Sequence, residues 1–274
     1  SMPTRSVTSV AATAAGVYQS DEGSSVNVRG SRSEATDYYV DGVKVRGSLA
    51  LPQSAIEQIT VMSSGLSAMY GDATGGIISV TSKGPSNQLY GGAEVVSSHI
   101  FDSYNYGLLG FGLSGPIYKE IKEDGSKGRA ILGYFLAGEF RNIDDPSPSA
   151  VGVWKIKDNK LEDLKENLFV AVPNQQSSSI GLLSNATFLR ADDFENVQAK
   201  MNTNLSGFNL SGKLDFKPTL KTNLTLGGAV SHSVDHPFVY TYSLLNWQNN
   251  SEEERNTWRT YARFTQRFGA QEGD

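Results

Sequence analysis

Gly110-Phe111-Gly112-Leu113-Ser114-Gly115 has the G-x-G-x-x-G spacing that lets a helix N-terminus approach a dinucleotide pyrophosphate. Pro116-Ile117-Tyr118 follows instead of a helical run, and the motif lies inside a stretch of alternating apolar and polar residues. That context reads as small residues on the inner side of a strand, giving room to something packed against it. Gly71-Asp72-Ala73-Thr74-Gly75-Gly76 could bend around a phosphate but lacks a Gly-Lys-Ser/Thr ending, so it reads as a tight bend before a strand at Ile77. Ser114 is not the nucleophile of a G-x-S-x-G elbow, because position 116 is proline. His99, His232 and His236 form no metal-ligand pair around a central Glu, and there is no cysteine. The pairs Asp144-Asp145 and Asp192-Asp193 read as solvated loop charges, with calcium binding as the alternative. No nucleophile stands beside a base. An enzyme is disfavoured, and no cofactor or metal is expected.

The bulk numbers agree with a polypeptide that does little chemistry of its own. With 24 basic and 29 acidic residues the net charge is −5, so no overall positive field favours nucleic acid. The absence of cysteine excludes disulfide staples and thiolate zinc sites, and fits an unstapled bacterial envelope protein as well as a cytosolic one. No apolar run reaches the roughly 18–20 residues of a spanning helix. A transmembrane barrel stays open, since its strands are only half apolar. Ser1 precedes Met2, no signal peptide is visible, and the last segment, Phe268-Gly269-Ala270-Gln271-Glu272-Gly273-Asp274, stops where another strand would be expected to follow. We expect a piece of a longer chain.

Two kinds of element must position these residues. Up to Pro85 the chain is β-rich and bent at glycines. A short helix within Thr4–Val17 closes at Gly16, and Tyr38–Val45 has the Asp-Gly signature of a type I′ hairpin. A turn near Pro52, a strand at Ile59–Met62, a helical turn at Ser67–Tyr70 and a strand at Ile77–Thr81 follow. This unit is short of apolar mass and would be steadier inside something. After Pro85 the period is two, in six segments: Leu89–Ile100, Tyr106–Tyr118, Arg129–Asn142, Asn209–Lys217, Asn223–Val234 and Trp258–Phe268. In the fourth, Leu210, Gly212, Leu214 and Phe216 oppose Ser211, Lys213 and Asp215. The connection around Pro218 is tight, whereas Ile143–Phe208 and Asp235–Thr257 are long, the short-and-long alternation of outer-membrane barrels apart from a short first outer connection near Phe101–Tyr104. The long connection holds a helix-like Lys160–Leu168 and a turn at Asp192–Val197. In the last segment Arg259, Arg263 and Arg267 fit a helix face or a strand face. We favour the strand, which sends all three into the lumen, since a lipid-facing Arg costs roughly 2–4 kcal/mol.

Val26-Asn27-Val28-Arg29-Gly30, Tyr39-Val40-Asp41-Gly42-Val43, Ile56-Glu57-Gln58-Ile59-Thr60-Val61, Ser67-Ala68-Met69-Tyr70-Gly71 and Gly75-Gly76-Ile77-Ile78-Ser79-Val80-Thr81-Ser82-Lys83 together resemble the plug of TonB-dependent outer-membrane receptors. The wording around Gly71–Ser86 and the long second outer loop look most like the Bacteroidetes-type members. The resemblance implies an N-terminal α+β plug over residues 1–86 inside a membrane β-barrel of about 22 strands, of which residues 87–274 supply about the first six strands, an incomplete barrel. It implies import of a scarce ligand (iron chelate, cobalamin, glycan or peptide) across the bacterial outer membrane. Partners would be TonB, reached through a segment before the plug, outer-membrane lipid, and a surface lipoprotein as a further candidate; no nucleic acid is expected. Arg29 falls on the plug's Arg-Gly motif, and a buried guanidinium there would need a carboxylate such as Glu57. Gly30, Gly42, Gly71, Gly75 and Gly76 take bend positions, structural or gating in role. By position in the apical plug loops, Arg32, Glu34 and Arg46 are the ligand-contact candidates. Two other readings remain: an adhesion or secretion-associated protein that kept the plugged barrel without transport, and a soluble β-rich binding domain.

Overall fold

The computed structural model describes residues 7–20, 25–45, 51–65, 70, 75–123, 125–173 and 180–269. Its N-terminal unit opens with a short helix α1 (Val7–Ala11) and a ribbon of β1 (Val17–Gln19) and β2 (Val26–Val28). Four strands follow: β3 (Thr36–Val40), β4 (Val43–Val45), β5 (Ile56–Met62) and β6 (Gly76–Ser82). They form one sheet in the order β4-β3-β6-β5, with β3 and β6 parallel. Asp41 (φ 52°) and Gly42 (φ 81°) join β3 to β4 with positive φ at both turn positions, the type I′ geometry expected of Asp-Gly. The turn expected near Pro52 is a 3-10 turn at Gln53–Ala55. The helical turn expected at Ser67–Tyr70 lies outside the described residues, apart from Tyr70.

The core of this unit is Val7, Ala11, Val26, Val40, Leu51, Ile78 and Val80. It is small, and it borrows from outside: Ala229, far along the chain, packs against it. Gly76 is required by proximity rather than by φ. A Cβ there would lie 2.6 Å from Val28 Cγ1, because β6 runs hard against β2.

The six alternating segments form one antiparallel sheet, the wall, in the order β16-β15-β14-β9-β8-β7. Its strands are β7 (Tyr90–Ser97), β8 (Gly107–Ile121), β9 (Lys127–Ile143), β14 (Leu205–Phe216), β15 (Thr222–Asp235) and β16 (Glu253–Gln266). The boundary drawn at residue 86 falls between the end of β6 and the start of β7. Leu214, Leu226, Val230, Trp258 and Phe264 are exposed on the outer face and gather in no sealed core, as a lipid-facing surface requires. Two outward rows cross the wall in register. Leu109, Phe140, Phe208 and His232 form the upper one; Tyr118, Leu132, Phe216, Leu224 and Phe264 form the lower. Eight residues of a strand tilted by 35–45° separate them, roughly 20 Å, close to the apolar band of an outer-membrane barrel.

Above the upper row, the connection after β9 folds into a unit of its own. It holds β10 (Val153–Ile156), α2 (Asp158–Glu166), β11 (Phe169–Pro173), β12 (Ile180–Ser184) and β13 (Phe194–Val197). Ile156, Leu161 and Leu164 are its core. The helix expected at Lys160–Leu168 is α2, and the turn expected at Asp192–Val197 is a 3-10 turn running into β13. One expectation is corrected. Asp145 is not a solvated loop charge but fully buried, bound at 2.9 Å by the Lys200 ammonium and by the Lys200 backbone N–H. This pair closes the connection at its base, where its two ends return to the wall.

Candidate functional site

The seam between the N-terminal unit and the wall is built from two inward rows. In the lower, Tyr90, Ser114, Phe135, Lys213, Gly227 and Tyr261 lie in register across all six strands. The next holds Gly92, Gly112, Ala137, Ser211, Ala229 and Arg259. Its first five residues are small, so the backbone of the N-terminal unit can approach. Ser54 Oγ donates to the Phe111 carbonyl at 2.9 Å, and a Cβ on Gly112 would lie 3.5 Å from Ser54 Cβ. Ala55 packs with Phe135 and Ala137 in a small apolar cluster. Of the glycines in the dinucleotide-like motif, Gly110 and Gly112 therefore face inward, while Gly115 faces outward beside Leu89 and Tyr134.

Asp41 is the centre of the seam. The type I′ turn carries it past the end of β3, where four donors converge on its two oxygens. Ser82 donates its N–H at 2.9 Å and its hydroxyl at 2.7 Å, Lys213 Nζ donates at 3.0 Å, and Tyr261 OH donates at 2.8 Å. Lys213 Nζ also donates to the Ser82 carbonyl at 2.8 Å. Lys213 and Tyr261 do not sit on adjacent strands; Gly227 lies between them in the row. A Cβ on Gly227 would be 2.3 Å from the Tyr261 ring, so only glycine lets the ring lie across β15 and reach Asp41. Burial pushes the Asp41 carboxyl up, but the Ser82 hydrogen bonds and the Lys213 ammonium outweigh it and hold it below the usual carboxylate range. The arrangement is a latch: one charged turn of the inner unit clamped by two strands of the wall.

The strand reading of the last segment holds. Arg259 stands at the latch beside Leu51 and Tyr261, Arg263 Nη2 lies 3.1 Å from where a Cβ on Gly42 would be, and Arg267 follows at the strand's end. On the other flank a cavity of about 760 Å³ opens between the Gln53–Ala55 turn and β7–β9, and Glu57, Glu94, Glu139 and Lys83 line it.

The other candidate residues separate. Arg29 is exposed, in a left-handed conformation (φ 53°), and no ion pair joins it to Glu57, which is exposed at the cavity instead. The buried Arg29–Glu57 pair is thus corrected: β2 ends before Arg29 and turns its side chain out. Gly30 has φ 74°. Gly75 answers to proximity, since a Cβ would lie 2.8 Å from the Ala35 carbonyl. Arg32 and Glu34 are exposed at the end of β3 opposite Asp41. Arg46 and Gly71 lie outside the described residues. Sequence reasoning missed Asp41 as a polar centre, because Asp-Gly was already explained by the hairpin. It placed Lys213 on the inward face without a partner.

Residues 1–77 match the family model of the TonB-dependent receptor plug domain. Among solved structures, two variants of the ferric enterobactin receptor of Pseudomonas aeruginosa resemble the chain at 17% identity. One has TM-score 0.56 over 98% of this chain and 37% of that one, the other TM-score 0.54 over 92% and 35%. A siderophore receptor of the same organism has 18% identity and TM-score 0.50 over 85% of this chain and 32% of its own. No curated protein matches. The chain thus spans about a third of the length of these receptors. Residues 1–77 thus match a TonB-dependent receptor plug domain, and with the latch seating that unit on a wall of six registered strands, the chain has the fold of the plug and opening barrel strands of TonB-dependent outer-membrane receptors.

Proposed function

We propose that this receptor imports a scarce ligand across the outer membrane, with the plug moved aside by force delivered through TonB. The latch is the observation that carries the reading. Polar and charged contacts hold the plug in place: Asp41 with Lys213 and Tyr261, and Ser54 with the Phe111 carbonyl. Among the described residues, the apolar clusters that join plug and wall are small: Ala55 with Phe135 and Ala137, and Ala229 with the plug core. Contacts of this kind are short-ranged and re-form readily in water, so a plug seated by them can leave and return, whereas a large apolar interface would make each cycle costly. The cavity beside the Gln53–Ala55 turn marks the flank where a path would widen first. Arg32, Glu34 and Arg46 remain our candidates for first contact with the ligand. The solved relatives are named for ferric enterobactin and for siderophores, which makes an iron chelate the first class to try; a surface lipoprotein is a further candidate partner.

The test is uptake by cells expressing the full-length receptor in a host lacking its own iron-chelate receptors. Labelled ferric catecholate, ferric citrate and cobalamin serve as the panel. Accumulation of one of them that stops on deletion of TonB is the expected result. Uptake of none, or uptake indifferent to TonB, would turn the reading towards a plugged barrel used for adhesion or secretion.

A further inference from the structure

At the short-turn end of the wall, below the latch, a cavity of about 480 Å³ lies between the link leaving the plug (Pro85, Asn87), the turn around Pro218 and the end of β16. Among the described residues its lining is strongly one-signed: Arg129, Lys217, Lys221, Arg263 and Arg267 against the single carboxylate of Asp215. Two of the cations are neutralised, Arg129 by Glu120 at 3.2 Å and Lys217 by Asp215 at 3.3 Å. Among the described residues, Lys221 Nζ donates only to the Gly269 carbonyl, at 2.6 Å. Among the described residues, neither Arg263 nor Arg267 has a carboxylate partner. Arg263 in β16 and Arg267 just past its end lie four residues apart on the inward side with Thr265 between them, and all three line the same concavity.

We propose that this cavity is a binding site for a small multivalent anion bearing carboxylate or phosphate groups. A concave surface with low-dielectric walls focuses the field of charges that no neighbour cancels. The planar fork of Arg matches carboxylate and phosphate in pairs of hydrogen bonds, where Lys supplies only a point charge. The volume suits an anion the size of citrate rather than a protein segment. Pro85 and Asn87 form one side, so an anion held here would touch both the wall and the link that carries the plug. The site stands independently of the import reading, because its first readout is binding and not transport.

Two sources offer this chemistry, a transported anionic ligand leaving the lumen and a free anion entering from the short-turn side. The full-length receptor in detergent is titrated calorimetrically with citrate and with inorganic phosphate at low ionic strength. Binding of at least one of them is expected, falling steeply with added salt and weakening at least about tenfold in Arg263→Gln/Arg267→Gln, since each lost charge-assisted hydrogen bond accounts for about a factor of ten. Arg263→Lys/Arg267→Lys should fall between the two. Heat-modifiable migration verifies that each variant is folded; should the double variant not fold, Lys221→Gln on the turn replaces it. Uptake of labelled ferric citrate by the same variants separates the sources: loss in step with binding assigns the transported anion, and loss of binding alone assigns the free one. No binding of either anion in the millimolar range, unchanged binding in the glutamine variants, or equal competition by neutral trimethyl citrate would overturn the site.

Discussion

Asp41 is a carboxylate with both oxygens fully engaged and with donors drawn from three separate strands, β6, β14 and β16. Its removal leaves the Lys213 ammonium buried without a counter-charge, a situation that costs about 3–5 kcal/mol where it has been measured. Asp41→Asn should therefore loosen the plug against the wall by that order, read as lost hydrogen-exchange protection of β3 and β6 in the full-length receptor. Tyr261→Phe keeps the ring and removes one donor, so a smaller loss of about 1–3 kcal/mol is expected in the same measurement. The pH dependence follows from the direction of the Asp41 shift. Its folded-state pKa lies below the ordinary carboxylate value of about 3.9, so the latch contributes fully at neutral pH and above that value, and is lost as pH falls through the folded pKa. Exchange protection of β6 should stay level from pH 8 to about 5 and decline only below about 4. A decline centred near pH 6–7 would assign the coupling to another group.

At the scale of elements, each wall strand has two sides with opposite demands. β15 shows both at once. Leu226 and Val230 are exposed to lipid, while Gly227 and Ala229 are kept small by the Tyr261 ring and the plug core. Leu226→Arg should destabilise insertion by about 2 kcal/mol, measured by urea titration of the receptor refolded into vesicles. The neighbouring Gly227→Ala adds only a methyl but collides with the Tyr261 ring. It should leave insertion unchanged and reproduce the plug loosening of Tyr261→Phe. A methyl on the lumen side that matters more to the plug than to the membrane is what a seam built by rows of small residues predicts.

For the whole molecule, the plug lies against the inner face of the wall and the outer connections stand above it, and each of the three is held by a different device. The plug rests on the latch and the wall on its strand ladder. The outer unit is held at its base by the Asp145–Lys200 pair and tied to the connection between β15 and β16. There the Ile156 N–H donates to the Leu244 carbonyl at 2.9 Å, and Asn250 Nδ2 donates to the Asn202 carbonyl at 2.9 Å. Lys200→Met strands Asp145 as a buried, unpaired charge. It should cost the outer unit about 3–5 kcal/mol, seen as faster cleavage between residues 146 and 199 by added protease, with heat-modifiable migration of the barrel intact. Equal cleavage of parent and variant would show that the pair does not close the unit.

The sequence alone determined whatever depends on local period and turn chemistry. Alternation set the six wall strands and their two faces, Asp-Gly set the hairpin, and the lengths of the connections set which end of the barrel carries the loops. These are properties of neighbours in the chain, and side chains two apart must share a face of any strand. It could not determine pairings between distant residues. Asp41 meets Tyr261 across 220 positions, and Asp145 meets Lys200 across 55. Their partners follow from strand register and from where a glycine leaves room for a ring. The same limit explains Arg29, assigned a buried carboxylate by motif but turned outward by the end of β2. Local pattern fixes which way a side chain points; only the packed chain decides what it meets there.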